Sequence, residues 1–275
     1  MHSVTEPAFL AESPLLYVLL TAIGASVSIY STMVGLGGGV ILLPLLLLLF
    51  PGTPPEVLTS TSLTVILVNA LSGTAAYTRQ RRIDYRSGAL FALATVPGIV
   101  IGVWLLKFLE IRTFSVIFGV LLLAISALLI TRPQIKAPSS SVLLPADAPS
   151  NGIPWSVRRR VIGTGLNFIA GIIAGLLGIG GGIIHVPMMT YVLRFPVHIA
   201  TATSQFILIF TASTGIITHL VLKTWSGDWA VIACLALGII PGAQIGAILS
   251  RRVRNTLIIR LLALALIILG IRMIQ

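Results

Sequence analysis

The sequence predicts an all-α polytopic membrane protein made of two inverted repeats, each a broken, re-entrant helix hairpin plus three transmembrane helices. Three observations lead there. Of the 275 residues, 56% are hydrophobic and only 9% are charged, with a mean hydropathy of +1.06, too few polar side chains to cover a water-facing surface. The stretch "GLGGGVILLP" at 35–44 returns as "GIGGGIIHVP" at 178–187. Lys and Arg gather in short connections, including "RQRRIDYR" (79–86), "RRR" (158–160) and "RRVR" (251–254).

A backbone in lipid must satisfy its own hydrogen bonds, so the spans are helices or a closed barrel. Apolar runs at 15–34, 88–108 and 229–249 reach the ~20 residues that cross ~30 Å of hydrocarbon. They lack the alternation of barrel strands, which leaves helices. Each half reads as one long interrupted segment and three ordinary spans: 15–50, 57–78, 88–108 and 114–130, then 161–193, 197–222, 229–249 and 257–274. The N-terminal membrane repeat is 1–131 and the C-terminal one 158–275. Between them, 132–157 is rich in Pro, Ser and Ala without helical period and reads as a cytoplasmic linker. The stretch "MHSVTEPAFLAESP" has no Lys or Arg ahead of the first apolar run, so a retained first helix is expected rather than a cleaved signal peptide. Cys234 is the single cysteine and lies within a span, which excludes a disulfide and a cysteine-based metal site.

The repeat extends beyond the glycines. Gly35 maps to Gly178 and Pro44 to Pro187 at an offset of 143; "LTSTSLTV" (58–65) falls on "ATATSQFI" (200–207) at 142; "PGIVIG" (97–102) falls on "PGAQIG" (241–246) at 144. Charge then separates two ways of threading it. If each interrupted segment crosses once, Lys and Arg divide 11 to six between the faces; if it folds back, the halves are inverted and the division is 13 to four, with Arg260 inside a span in both cases. The positive-inside rule prefers inversion. The same confinement of charge to connections argues against nucleic acid as a partner, despite a net charge of +11, because no soluble domain carries a basic face.

Three consecutive glycines in an apolar run predict a break, since glycine accepts positive φ and close backbone approach. The pieces beyond the breaks, 40–50 and 183–193, have 11 residues each, about 16 Å of helix and half a membrane. A half-helix starting at the glycines turns its free N–H groups and positive dipole end toward the bilayer interior, the device with which broken-helix transporters hold anionic groups. The seven acids (Glu6, Glu12, Glu56, Asp84, Glu110, Asp147, Asp228) all fall in loops or at helix ends, which suits an anion. The competing reading is close helix packing of the small-xxx-small kind.

The candidate binding residues are therefore Gly37, Gly38 and Gly39 with Gly180, Gly181 and Gly182. To these are added the hydroxyl and amide clusters Thr59, Ser60, Thr61, Ser62 and Thr201, Thr203, Ser204, Gln205, each in the first turns of the span after a half-helix. Hydroxyls and amides donate to oxyanions without carrying charge; their other common use is to cap helices or bond back to the chain. Asn69 is a further amide within a span. His185 stands where the first repeat has Leu42, and is either a proton carrier, an anion donor or a neutral histidine bonded to a carbonyl. His198 and His219, nearer helix ends, are expected at the interface. The "PG...G" pairs (Pro97, Gly98, Gly102; Pro241, Gly242, Gly246) read as kinks and packing seams. No enzyme motif appears: "GLGGGV" fails G-x-G-x-x-G at Val40, and G-x-S-x-G, the P-loop lysine and H-E-x-x-H are missing from the sequence.

Two copies of G-(L/I)-G-G-G-x-(I/L)-x-x-P, each followed by a Thr/Ser-rich turn and a Pro-Gly span, resemble the sulfite exporter TauE/SafE family of membrane permeases, from about Ser28 to the end of the sequence. The resemblance implies transport of small sulfur-containing or carboxylate anions (sulfite, sulfoacetate and other organosulfonates) across the bacterial cytoplasmic (inner) membrane. The family's glycine motifs fall on Gly35, Gly37, Gly38, Gly39 and Gly178, Gly180, Gly181, Gly182, with Pro44 and Pro187 beyond. The expected partners are one small anion (sulfonate, sulfite or carboxylate), the lipid bilayer, and H+ or Na+ as coupling ion; no cofactor is expected and no enzymatic activity. A passive anion channel is the alternative, and a membrane enzyme or assembly subunit a third. Substrate identity, direction of transport and oligomeric state stay open at this level.

Overall fold

The structure, a computed structural model, describes residues 14–50, 52–131, 157–193, 195–225, 227–250 and, within 264–273, all but 265 and 269. The helices in order are α1 (Pro14–Val34), α2 (Gly39–Leu49), α3 (Pro55–Arg79), α4 (Tyr85–Leu106), α5 (Ile111–Thr131), α6 (Val157–Leu177), α7 (Gly182–Pro187) with its π-helical continuation (Met188–Val192), α8 (Val197–Val221) and α9 (Trp229–Leu249). The described residues contain no strand. Five of these helices are long and apolar enough to cross a membrane: α1, α3, α4, α8 and α9. Most of the expected linker and of the span at 257–274 lies outside the described residues.

Each expected interrupted segment is broken at its glycines, and the half-helices begin one residue earlier than expected, at Gly39 and Gly182, because Gly38 and Gly181 serve as left-handed N-caps. The second half-helix also differs from the first in widening after Pro187, where the Leu193 N–H reaches back to the Met188 carbonyl at 3.1 Å. The spans that follow open alike: Pro54 and Pro196 precede α3 and α8, and Asp84 and Asp228 cap α4 and α9 by accepting from Ser87 N (3.2 Å) and Ala230 N (2.8 Å). A proline cannot donate at a helix start, where no acceptor exists, and a carboxylate there supplies one.

Packing pairs the halves crosswise. α1 lies along α9 and α6 along α4. In both pairs the glycines predicted as packing seams bring backbones together: a side chain at Gly98 or Gly102 would run into the Phe168 or Ile172 carbonyl of α6, and one at Gly242 or Gly246 into the Ala25 or Ile29 carbonyl of α1. Contacts ascend together in each pair, so these helices run side by side in one direction. α3 and α8, which occupy equivalent places in the two repeats, do the reverse: Leu63 lies against Gly215 and Gln205 against Gly73, so they run in opposite directions. The largest apolar cluster surrounds the two breaks and includes Leu36, Val40, Leu42, Leu43, Leu177, Ile179 and Ile183.

Candidate functional site

At the first break Gly35, Gly37 and Gly38 have φ of +84°, +77° and +89°; at the second Gly178, Gly180 and Gly181 have +63°, +73° and +85°. The left-handed turn delays helical bonding. Ile41 and Leu42 donate to the Gly38 carbonyl at 3.1 and 2.9 Å, and Ile184 and His185 to the Gly181 carbonyl, both at 3.0 Å. The N–H groups of Gly39, Val40, Gly182 and Ile183 therefore precede the first intrahelical acceptor, at the positive ends of their helices. All four residues are buried.

The two breaks touch. A Cβ at Gly39 would lie 2.8 Å from Ile179 Cα, and one at Gly182 would lie 2.7 Å from the Gly35 carbonyl oxygen. Ile66 of α3 and Leu208 of α8, equivalent residues, pack on Gly180, and Leu208 also on Gly37. The space between the glycine turns is thus filled by backbone and two aliphatic side chains.

The hydroxyl clusters buttress these turns reciprocally. Ser62 Oγ donates to the Gly178 carbonyl at 2.8 Å and Ser204 Oγ to the Gly35 carbonyl at 2.9 Å, each reaching from one repeat to the break of the other. Thr59 and Thr201 lie directly under Gly178 and Gly35. Their hydroxyls donate to Glu56 O at 3.1 Å and Val34 O at 3.5 Å. Ser60 bonds back to Val57 O, and Thr203 accepts from Asp84 N at 3.1 Å. Thr61, 6% exposed, lies near Gly227. Most of these hydroxyls are committed to backbone.

Unpaired buried polar atoms lie elsewhere, on Tyr30, Thr74, Asn167 and Thr190 as well as on three of the candidate residues. Gln205 and His185 are both fully buried, and neither the Gln205 amide nor either ring nitrogen of His185 has a partner; Asn69, 2% exposed, has a free Nδ2. The His185 ring lies over Gly181, its Cε1 3.0 Å from where a Cβ would stand. Gln205 rests against Gly73. Asn69 Oδ1 accepts from Thr32 Oγ1 at 3.1 Å and from Ser28 Oγ at 2.6 Å, whose one proton is shared with the Ile239 carbonyl at 2.8 Å. His219 stands in the last turn of α8 and is fully buried in the protein, with Thr224 Oγ1 2.9 Å from its Nδ1 and Thr59 Oγ1 3.4 Å from its Nε2. His198 is exposed.

Sequence reasoning passed over Ser28, Ser31 and Thr32, whose spacing in α1 places them on one face. It also passed over Thr211, whose hydroxyl donates to the Gly180 carbonyl at 3.0 Å, and Asn167, which donates to Gly163 O at 2.8 Å.

Comparison with known proteins gives one family, described as sulfite exporter TauE/SafE, whose model matches residues 20–273. Among curated relatives, the probable membrane transporter protein YunE of Bacillus subtilis is 32% identical over 270 residues, spanning 94% of this chain and 97% of its own. A probable membrane transporter protein of Haemophilus influenzae is 34% identical over 179 residues, 63% of this chain and 60% of its own. The probable membrane transporter protein MJ0441 of Methanocaldococcus jannaschii is 26% identical over 218 residues, 78% of this chain and 76% of its own. No solved structure matches the chain.

Proposed function

Because the chain belongs to the sulfite exporter TauE/SafE family of membrane transporters, we propose that it is a secondary, ATP-independent carrier of small anions, with sulfite and organosulfonates such as sulfoacetate as the substrate class. It works in the cytoplasmic membrane as two inverted repeats, driven by H+ or Na+. The observation that carries this reading is the pair of left-handed glycine turns, each opening a half-helix whose first N–H groups are free and buried. Such ends favour negative charge. No Asp or Glu is among the buried described residues, which supports an anion over a cation as cargo. The opposite courses of α3 and α8 support inversion of the halves.

A carrier is favoured over a channel because Ile66 and Leu208 fill the space at the glycine turns; an anion passes only if the two repeats shift against each other. The test is counterflow. Proteoliposomes loaded with unlabelled sulfoacetate are expected to accumulate labelled sulfoacetate transiently above the outside concentration, without ATP. Current without counterflow would identify a channel, and neither would overturn the transport of this class of anion.

A further inference from the structure

We propose that the protein holds one anion site rather than a symmetric pair, set to one side of the repeat relation against Gly73, with the free amide groups of Gln205 and Asn69 as its donors. The inference rests on the anion-transport reading above and assigns that anion its side chains.

The two repeats differ at a position where they should match. Gln205 is equivalent to Leu63, and Gly73 to Gly215. A Cβ at Gly215 would meet Leu63 Cδ1 at 2.7 Å, and one at Gly73 would meet Gln205 Cδ and Oε1, both at 3.4 Å. The same cradle thus holds an isobutyl group in one half and a carboxamide in the other. That carboxamide is fully buried with neither end bonded. A buried polar group left unsatisfied costs roughly 1–3 kcal/mol, a cost that leucine in the equivalent cradle does not incur.

Asn69 lies one helical turn before Gly73 on the same face of α3. Its 2.6 Å separation from Ser28 Oγ is that of an O–H···O bond and short for N–H···O. The amide oxygen therefore faces α1, where Thr32 Oγ1 also donates to it, and Nδ2 is turned away without a partner. Thr32 reaches Gly73 as well, its methyl 3.2 Å from a Cβ there. α1, α3 and α8 converge on this one place. Across the repeat relation, the equivalents of Ser28 and Thr32 are Gly171 and Gly175, and the equivalent of Asn69 is Thr211, whose hydroxyl is spent on the Gly180 carbonyl. At these positions one side is therefore polar with amide N–H groups to spare, whereas the other carries two glycines, a leucine and a hydroxyl already bonded.

The donors decide the ligand. A bare cation needs several oxygens; here the Asn69 oxygen already accepts twice, and the Gln205 carboxamide, whose Oε1 lies nearest Gly73, is held by no hydrogen bond, so a half-turn of the amide brings its Nε2 to an oxyanion. Amide N–H groups without a carboxylate or a fixed positive charge suit an oxyanion, and the α2 start is close at hand: Gly38 packs on Ser31, in the same turns of α1 as Ser28 and Thr32. Sulfite and the sulfonate group of sulfoacetate both present three oxygens to such a set.

Gln205→Leu and Asn69→Thr place at each position the residue its equivalent carries, so the cradle tolerates them. Calorimetric titration of purified wild-type protein with sulfite and with sulfoacetate is expected to give one anion per chain. Gln205→Leu is expected to weaken both more than tenfold while the apo protein melts at the same temperature or higher; Asn69→Thr is expected to weaken both by a smaller factor. Two anions per chain, wild-type affinity in Gln205→Leu, or a lower apo melting temperature in that variant would overturn the site. If Gln205→Leu binds normally while alanine at Gly38 or Gly181 abolishes binding, only this assignment fails. If wild-type protein binds neither anion, the transport reading falls with it.

Discussion

At Gly38 and Gly181 the backbone holds φ of +89° and +85°, a region that costs an L-residue roughly 1–2 kcal/mol. A methyl group there would also stand 3.3 Å from Ser31 Oγ at the first position and 3.0 Å from His185 Cε1 at the second. Alanine at either glycine is therefore expected to destabilise the protein by about 1–2 kcal/mol and to weaken anion binding more than tenfold, ~1.4 kcal/mol, because the turn aims the free N–H groups. A glycine inside a continuous helix would respond the other way, gaining up to ~1 kcal/mol from alanine. Thermal melting and calorimetry on one preparation separate the two outcomes; normal binding in both variants would return the glycines to packing.

The long helices are held by seams in which glycine lets backbones meet. Gly102 of α4 lies on Ile172 of α6, and Gly246 of α9 on Ile29 of α1, with carbonyl oxygens occupying the place of a side chain. Neither can relax as a flexible side chain does. Gly102→Ala and Gly246→Ala are expected to lower stability by roughly 1–3 kcal/mol each, the usual cost of overpacking, and by similar amounts because the seams are equivalent. Gly165, in α6 with nothing within 4 Å of its would-be Cβ, is the control: alanine there is expected to leave the melting temperature unchanged or raise it. Equal behaviour of Gly165→Ala and Gly102→Ala would mean that the seams do not carry the packing.

The arrangement of the whole chain turns on whether the interrupted segments fold back. With inverted halves, 13 Lys and Arg face one side and four the other, so the connections holding Lys107 and Lys223 share the outer face. Single cysteines at those two exposed positions, in a Cys234→Ser background, are expected to react with an impermeant thiol reagent in intact cells. Cysteines at exposed Arg79 and Val197 are expected to react only after permeabilisation. Parallel halves put Lys107 and Lys223 on opposite faces, so labelling of only one of the pair would overturn the inverted arrangement.

Membrane insertion, the repeat and the place of both breaks were legible in the sequence, because each follows from a property local to the chain: apolar run length, residue offset, and the φ freedom of glycine. The half-helix starts were legible to within one residue. What the polar side chains do was not. Ser62 and Gly178 are separated by 116 positions and Ser204 and Gly35 by 169, so hydroxyls that in sequence could serve an anion as well as a carbonyl are seen as struts only once the halves are packed crosswise. Equally, nothing in the order of residues tells Gln205, with both amide ends free, from its neighbour Ser204, already bonded. Conformational bias belongs to a residue and its immediate neighbours, whereas the satisfaction of a buried polar group depends on which distant backbone the tertiary fold brings within about 3 Å of it.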